Sequence, residues 1–192
     1  GGRGHHELAA CRAREHATLG WDETSSSSEL CELARRGQID TLKLMLACGA
    51  PVDAADYDAR TCLHLAASEG NLPIVKHLVV EGKASINSCD RWRGTPLADA
   101  IREGHASVTK FLITQGAKLG WDDVRSSSEL CELARQGDGH RIGLLLDAKC
   151  NVDAADYDRR TCLHLAASEG AGKVVEMLIR HGAVLDSTDR WG

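Results

Sequence analysis

The feature that most restricts this chain is that it repeats itself. Gly20-Trp21-Asp22 returns as Gly120-Trp121-Asp122, Ser28 to Arg35 returns as Ser128 to Arg135, and Asp53 to Gly70 returns as Asp153 to Gly170 with only Ala59 changed to Arg159, all at an offset of 100 residues. A shorter period lies inside the long one. The openings Ser28-Glu29-Leu30-Cys31, Thr61-Cys62-Leu63-His64, Thr95-Pro96-Leu97-Ala98, Ser128-Glu129-Leu130-Cys131 and Thr161-Cys162-Leu163-His164 are spaced by 33, 34, 33 and 33 residues. Periods of this size mark stacked supersecondary units rather than a single closed core.

The residues of one unit say what it is. Thr61 precedes Leu63, Leu65, Ala66 and Ala67, so it suits the cap of a short helix that Gly70 ends in a left-handed conformation. Pro73 then suits the first turn of a second helix, in which Ile74, Val75, Leu78 and Val79 form one apolar stripe before Gly82. From Ala84 to Gly94, Ile86 alternates with polar and turn-forming residues, as an extended hairpin leading to the next unit requires. Such a unit has too little apolar surface to fold alone, so its neighbours must complete its core. This explains how a chain with one phenylalanine, Phe111, can fold at all.

Composition agrees with a folded, soluble chain, with 43% hydrophobic and 27% charged residues. A net charge of −5 disfavours nucleic acid and anionic lipid as partners. No apolar run approaches the roughly 20 residues of a membrane-spanning helix, and the opening residues lack the apolar segment of a signal peptide. Of the eight cysteines, Cys31, Cys62, Cys131 and Cys162 recur at matched helical positions, which reads as packing by free thiols in a reducing compartment.

Thr61-Cys62-Leu63-His64-Leu65-Ala66-Ala67-Ser68-Glu69-Gly70, followed by Val75, Leu78, Asp90 and Gly94-Thr95-Pro96-Leu97, resembles the ankyrin repeat and its T-P-L-H-x-A-A signature. That resemblance implies an all-α solenoid of helix-turn-helix units joined by β-hairpin loops. The first unit of each block departs from the pattern, with Ser-Glu-Leu-Cys in place of Thr-Pro-Leu-His. A narrower likeness, carried by Asp56 to Thr61, Ala66 to Gly70, Asp90-Arg91-Trp92 and Thr95 to Ala100, is to the ankyrin segments of glutaminases, some asparaginases, plant potassium channels and Raf-like kinases. Those hosts share a repeat style and no single activity.

Chemistry of other kinds finds little support. Cys62 and His64, like Cys162 and His164, are two residues apart, which on a helix places them about 200° apart around the axis, so they do not form a nucleophile and base. No two cysteines have the close spacing of a zinc site, and no phosphate loop, His-Glu-x-x-His or nucleophile elbow occurs. No catalytic residue, cofactor or metal is expected, nor a small-molecule substrate. The serine runs Ser25 to Ser28 and Ser126 to Ser128 are expected to precede helices and act as caps, with phosphate acceptance as the alternative.

The aromatic residues are more informative. Trp21, Tyr57, Trp92, Trp121, Tyr157 and Trp191 all fall between the helix pairs, flanked by arginines, and this is the composition of protein-binding hot spots. The expected partner surface is Tyr57, Arg60, Trp92, Arg93, Tyr157 and Arg160, with packing between adjacent hairpins as the competing role for the tryptophans. The expected organisation is one continuous array: a partial unit over residues 1–25, then units over 26–59, 60–93, 94–125, 126–159 and 160–192, the native polypeptide running past both ends. The function expected is a non-catalytic scaffold or adaptor in the cytoplasm, binding protein within a multi-protein assembly. The alternatives are a regulatory segment of a larger enzyme or channel and a structural spacer.

Overall fold

The computed structural model describes residues 23–192. They fall into two compact units, one running to Ala117 and the other spanning Lys118–Gly192. Most of the partial unit expected over residues 1–25, with Trp21, lies outside the described residues.

In the first unit, helices come in pairs: α1 (Glu23–Arg36) with α2 (Ile39–Ala47), α3 (Cys62–Ser68) with α4 (Leu72–Lys76), which runs on as a π-helical turn His77–Glu81, and α5 (Pro96–Arg102) with α6 (Ala106–Thr114). The first members α1, α3 and α5 pack side by side, and each packs on its own second member. The second unit repeats the arrangement with α7 (Asp123–Gln136), α8 (Gly139–Asp147), α9 (Cys162–Ser168) and α10 (Gly172–Arg180).

The local reasons are those of the sequence. The Thr95 hydroxyl accepts the Ala98 N–H at 3.3 Å, Pro96 occupies the first turn, and Gly104 at φ +78° ends the helix. The cores are aliphatic: Leu30, Leu42, Leu63, Ile74, Leu78, Leu97, Ile101 and Leu112 are fully buried in the first unit, and Leu130, Ile142, Leu145 and Leu178 in the second. Each contributes about 2 kcal/mol by burial. Phe111 is half-buried on the outer layer, with the Lys76 ammonium 5.9 Å from its ring.

Two expectations need correction. The loops are not extended hairpins: the described residues contain no strand, only single antiparallel bridges Ala55–Thr61 and Ala155–Thr161. An aspartate side chain closes each turn in place of a longer ladder, as detailed below. Nor does the run Ser126 to Ser128 precede its helix. It lies inside α7, which begins earlier because the Asp122 carboxylate accepts the Arg125 N–H at 2.8 Å. Ser126 and Ser127 are buried, and the Ser127 and Ser128 hydroxyls each donate to Val124 O at 2.9 Å. α1 and α7 are consequently 14 residues long, twice the 7 of α3, α5 and α9.

The one spacing of 34 has a structural outcome. Other second helices end with a bond spanning five residues, such as Ala117 N–H to Leu112 O and Ala183 N–H to Leu178 O, each 3.0 Å. Here Ala84 N–H reaches back six residues to Leu78 O at 2.9 Å, with Gly82 N–H on His77 O at 2.9 Å. The π turn absorbs the extra residue. The left-handed conformation that Gly182 takes at φ +85° passes to Lys83 at φ +56°.

Gly143 interrupts α8 without a backbone need for glycine. A Cβ there would lie 3.5 Å from Met177 Sδ, an ordinary contact. Gly143→Ala is therefore expected to stabilise the chain by about 1 kcal/mol through helix propensity, read as a higher urea midpoint.

Candidate protein-binding surface

The loops between helix pairs form tight fingers, and one residue type closes each. Asp56 Oδ1 accepts the N–H groups of Asp58 at 2.9 Å and Arg60 at 2.8 Å, while Asp56 N–H bonds Arg60 O and Ala59 N–H bonds Asp56 O, both at 2.9 Å. Asp156 repeats the pattern with Asp158 and Arg160 at 2.9 Å each. Asp90 accepts from Trp92 N–H at 2.9 Å and Gly94 N–H at 2.6 Å, and Asp189 accepts from Trp191 N–H at 2.9 Å. The third residue after the aspartate is forced into the left-handed region: Ala59 at φ +58°, Arg93 at +63° and Arg159 at +59°. An aspartate that bonds its own turn permits this strained backbone.

The aromatic residue follows the aspartate and is thrown outward by this turn. Tyr57 and Tyr157 are each 94% exposed, Trp191 is 68% and Trp92 is 57%. Successive fingers are tied by an arginine. In the first unit Arg91 N–H donates to Asp58 O at 2.9 Å, its guanidinium donates to Asp58 Oδ1 at 2.9 Å, and it lies 5.5 Å from the Tyr57 ring and 5.3 Å from the Trp92 ring. In the second unit Arg190 holds Asp158 in the same way, with N–H to carbonyl at 3.0 Å and guanidinium to carboxylate at 2.9 Å, and stacks 5.2 Å from Trp191. Lower down, Asp53 accepts from Ser85 N–H at 2.8 Å and Asp153 from Val184 N–H at 2.9 Å.

The six residues expected to bind a partner are thus placed unequally. Tyr57 and Trp92 share one row with Arg91 between them, and Arg93 is exposed beside it. Tyr157 stands at the matching tip of the second unit. Arg60 and Arg160 stand at the finger bases. The Arg60 side chain is 24% exposed and its guanidinium lies 3.5 Å from Asp99 Oδ2 and 3.5 Å from Ser68 Oγ, while Arg160 pairs with Asp156 at 3.4 Å and Asp158 at 3.3 Å. Trp121 is not on a finger: it is half-buried at the start of α7, with the Arg125 guanidinium 5.0 Å from its ring.

Asp99 was not among the expected residues, although its signal is present in the sequence: it stands where the preceding unit has Leu65. Its carboxylate is buried between Arg102 at 2.7 Å and Arg60 at 3.5 Å. Burial pushes this carboxyl above its ordinary range, against the pull of the two guanidinium groups and of His64. His64, also buried, accepts the Thr61 N–H at Nδ1 (3.1 Å) and donates from Nε2 to Gly94 O (3.2 Å). Burial holds its pKa below the ordinary value. The Cys62 thiol points elsewhere, donating to Val52 O at 3.2 Å. Burial raises the thiols of Cys31, Cys62 and Cys162 to about 12 and that of Cys131 to about 11, so they stay protonated at neutral pH.

Comparison with known proteins bears on this architecture. The family model for ankyrin repeats in three copies matches residues 30–123, and that for a single ankyrin repeat matches residues 158–190. The chain is 36% identical over 174 residues to the potassium channel GORK of Arabidopsis thaliana, covering 91% of this chain and 21% of the channel. It is 31% identical over 154 residues to an L-asparaginase of Dirofilaria immitis, covering 80% of this chain and 26% of that protein. With the liver isoform of mitochondrial glutaminase from Rattus norvegicus it shares 37% identity over 79 residues, 41% of this chain and 13% of the relative. The chain therefore spans about a quarter or less of the length of these relatives, and the shared part is the repeat segment. Helix pairs stacked at this period, with Thr-x-Leu-His openings and fingers closed by aspartate, are the architecture those family models describe, and the chain belongs to the ankyrin-repeat family.

Proposed function

We propose that the chain is a non-catalytic protein-binding segment, used as a scaffold or adaptor within a multi-protein assembly, and that its partner is gripped by the finger tips. The observation that carries this reading is the exposed row Tyr57, Arg91, Trp92 and Arg93, with its counterpart Tyr157, Arg190 and Trp191. These rings are fixed by turn geometry and stacked on a guanidinium, so binding would cost little side-chain entropy. Arg60 and Arg160 line the bases of the fingers and set the rim of the same surface. The buried, protonated thiols favour a reducing, cytoplasmic setting over a catalytic one.

The test is capture of the native partner by the full chain. Replacing Tyr57 and Tyr157 together by alanine is expected to weaken capture at least about tenfold, with helicity by circular dichroism unchanged. Unchanged capture rejects the assignment.

A second reading, that the segment regulates a larger enzyme or channel, is favoured by the relatives, in which the matched repeats are a minor part of a longer protein. In that case the surface would grip a domain of the same polypeptide.

A further inference from the structure

Residues 53–70 and 153–170 are one sequence in two surroundings, differing only at Ala59 and Arg159. In the first unit α5 packs on α3 and α6 on α4, and Leu63, His64, Ala67 and Val75 are buried. In the second unit the matching Leu163, His164 and Val175 are half-buried, and Ala167, Ile179 and Leu185 are exposed. The polar groups differ in the same sense. Arg60 reaches forward to Asp99 of α5, whereas Arg160 folds back on its own finger to Asp156 and Asp158. His64 donates to Gly94 O ahead of α5, and His105 at the start of α6 donates from Nε2 to Ser68 O at 2.9 Å. A Cβ at Gly70 would meet the His105 ring at 2.6 Å, while nothing lies within 4 Å of the same position on Gly170.

We propose that the face formed by Arg160, Leu163, His164, Ala167 and Val175 is a docking site for one kind of helix pair, joined in line as the following repeat. That pair opens Gly-Thr-Pro-Leu, carries a carboxylate four residues after the threonine and an imidazole ten residues after it, as Thr95, Asp99 and His105 do. Charge complementarity selects it. The carboxylate draws Arg160 forward, the backbone carbonyl before the threonine takes the His164 N–H, and the imidazole caps the exposed end of α9. A pair of the α3 kind offers Leu65 in place of the carboxylate and Asn71 in place of the imidazole. Asn71 serves a different junction, donating to Ala34 O at 3.3 Å. Arg60 and Arg160 thus act as an ordering code that fixes which kind of repeat follows which.

The backbone is set for it, since Gly192 at φ +98° has the left-handed conformation of its counterpart Arg93 at φ +63°. The test is to append a copy of residues 94–117 directly after Gly192 of the full chain. The melting temperature is expected to rise by roughly 5 °C or more, and the amides of residues 161–170 to gain protection from hydrogen exchange. Changing the appended aspartate to asparagine, or Arg160→Met, is expected to remove at least about half of that gain, and both together no more than either alone. No rise, or an equal rise with asparagine, overturns the proposal. So does a dimer of the unextended chain in sedimentation with residues 161–170 already protected, because a second copy would then be the occupant.

Discussion

Leu63→Ala is expected to lower the unfolding free energy by about 3–4 kcal/mol, and Leu163→Ala by about half as much. The two residues stand in the same sequence, so helix propensity and neighbouring side chains cancel in the comparison. What differs is the surrounding structure. Leu63 is fully buried beneath α5, whereas Leu163 is half-buried. A truncated side chain costs most where the packed neighbours cannot collapse into the space it leaves. Urea unfolding followed by circular dichroism reads both changes. Equal losses at the two sites would mean that the α5 contact adds nothing to the stability of α3.

His64→Ala should destabilise the chain by about 3 kcal/mol at pH 8, and by less as the pH falls. The imidazole satisfies two buried backbone groups, Thr61 N–H and Gly94 O, so its loss leaves both unpaired as well as a cavity. The pH dependence follows from the depressed pKa of the buried ring, caused first by its desolvation and opposed by Asp99, Gly94 and Asp90. A histidine held neutral in the fold contributes fully above its unfolded pKa of about 6.5, and that contribution drains away as pH falls toward the lower folded value. Asp99 slopes the other way. Its raised pKa means the fold takes up its proton more readily than the unfolded chain does, so acidification through that range favours the folded state. Chemical denaturation of wild type and variant at pH 8, 6.5 and 5.5 separates the two, because the variant lacks only the histidine slope. A difference between them that does not change with pH would show that His64 is charged in the fold.

Some of this was written in the order of residues. The period of 33 residues, the Thr and Pro openings, the glycine stops and the aliphatic stripes specify helix pairs that must stack, because each choice is local and repeated. The exposed aromatic positions were equally legible, since each follows an aspartate in a turn that points it away from the helices. The single spacing of 34 also had a meaning, a one-residue excess that the chain absorbs as a π turn at His77–Glu81.

What the sequence could not settle was anything that depends on two distant segments meeting. Arg60 reads as a surface cation beside Tyr57, and only the packing of α5 on α3 turns it toward a buried carboxylate. Ser126 and Ser127 read as capping residues, until the capping carboxylate of Asp122 is seen to start the helix a turn earlier and bury them. Local chemistry determined the repeating elements of this protein, because backbone capping and apolar periodicity act within a few residues. Tertiary structure decided which charges are buried, which rings stack and which face of an identical segment is covered, because those depend on the neighbour that long-range packing supplies.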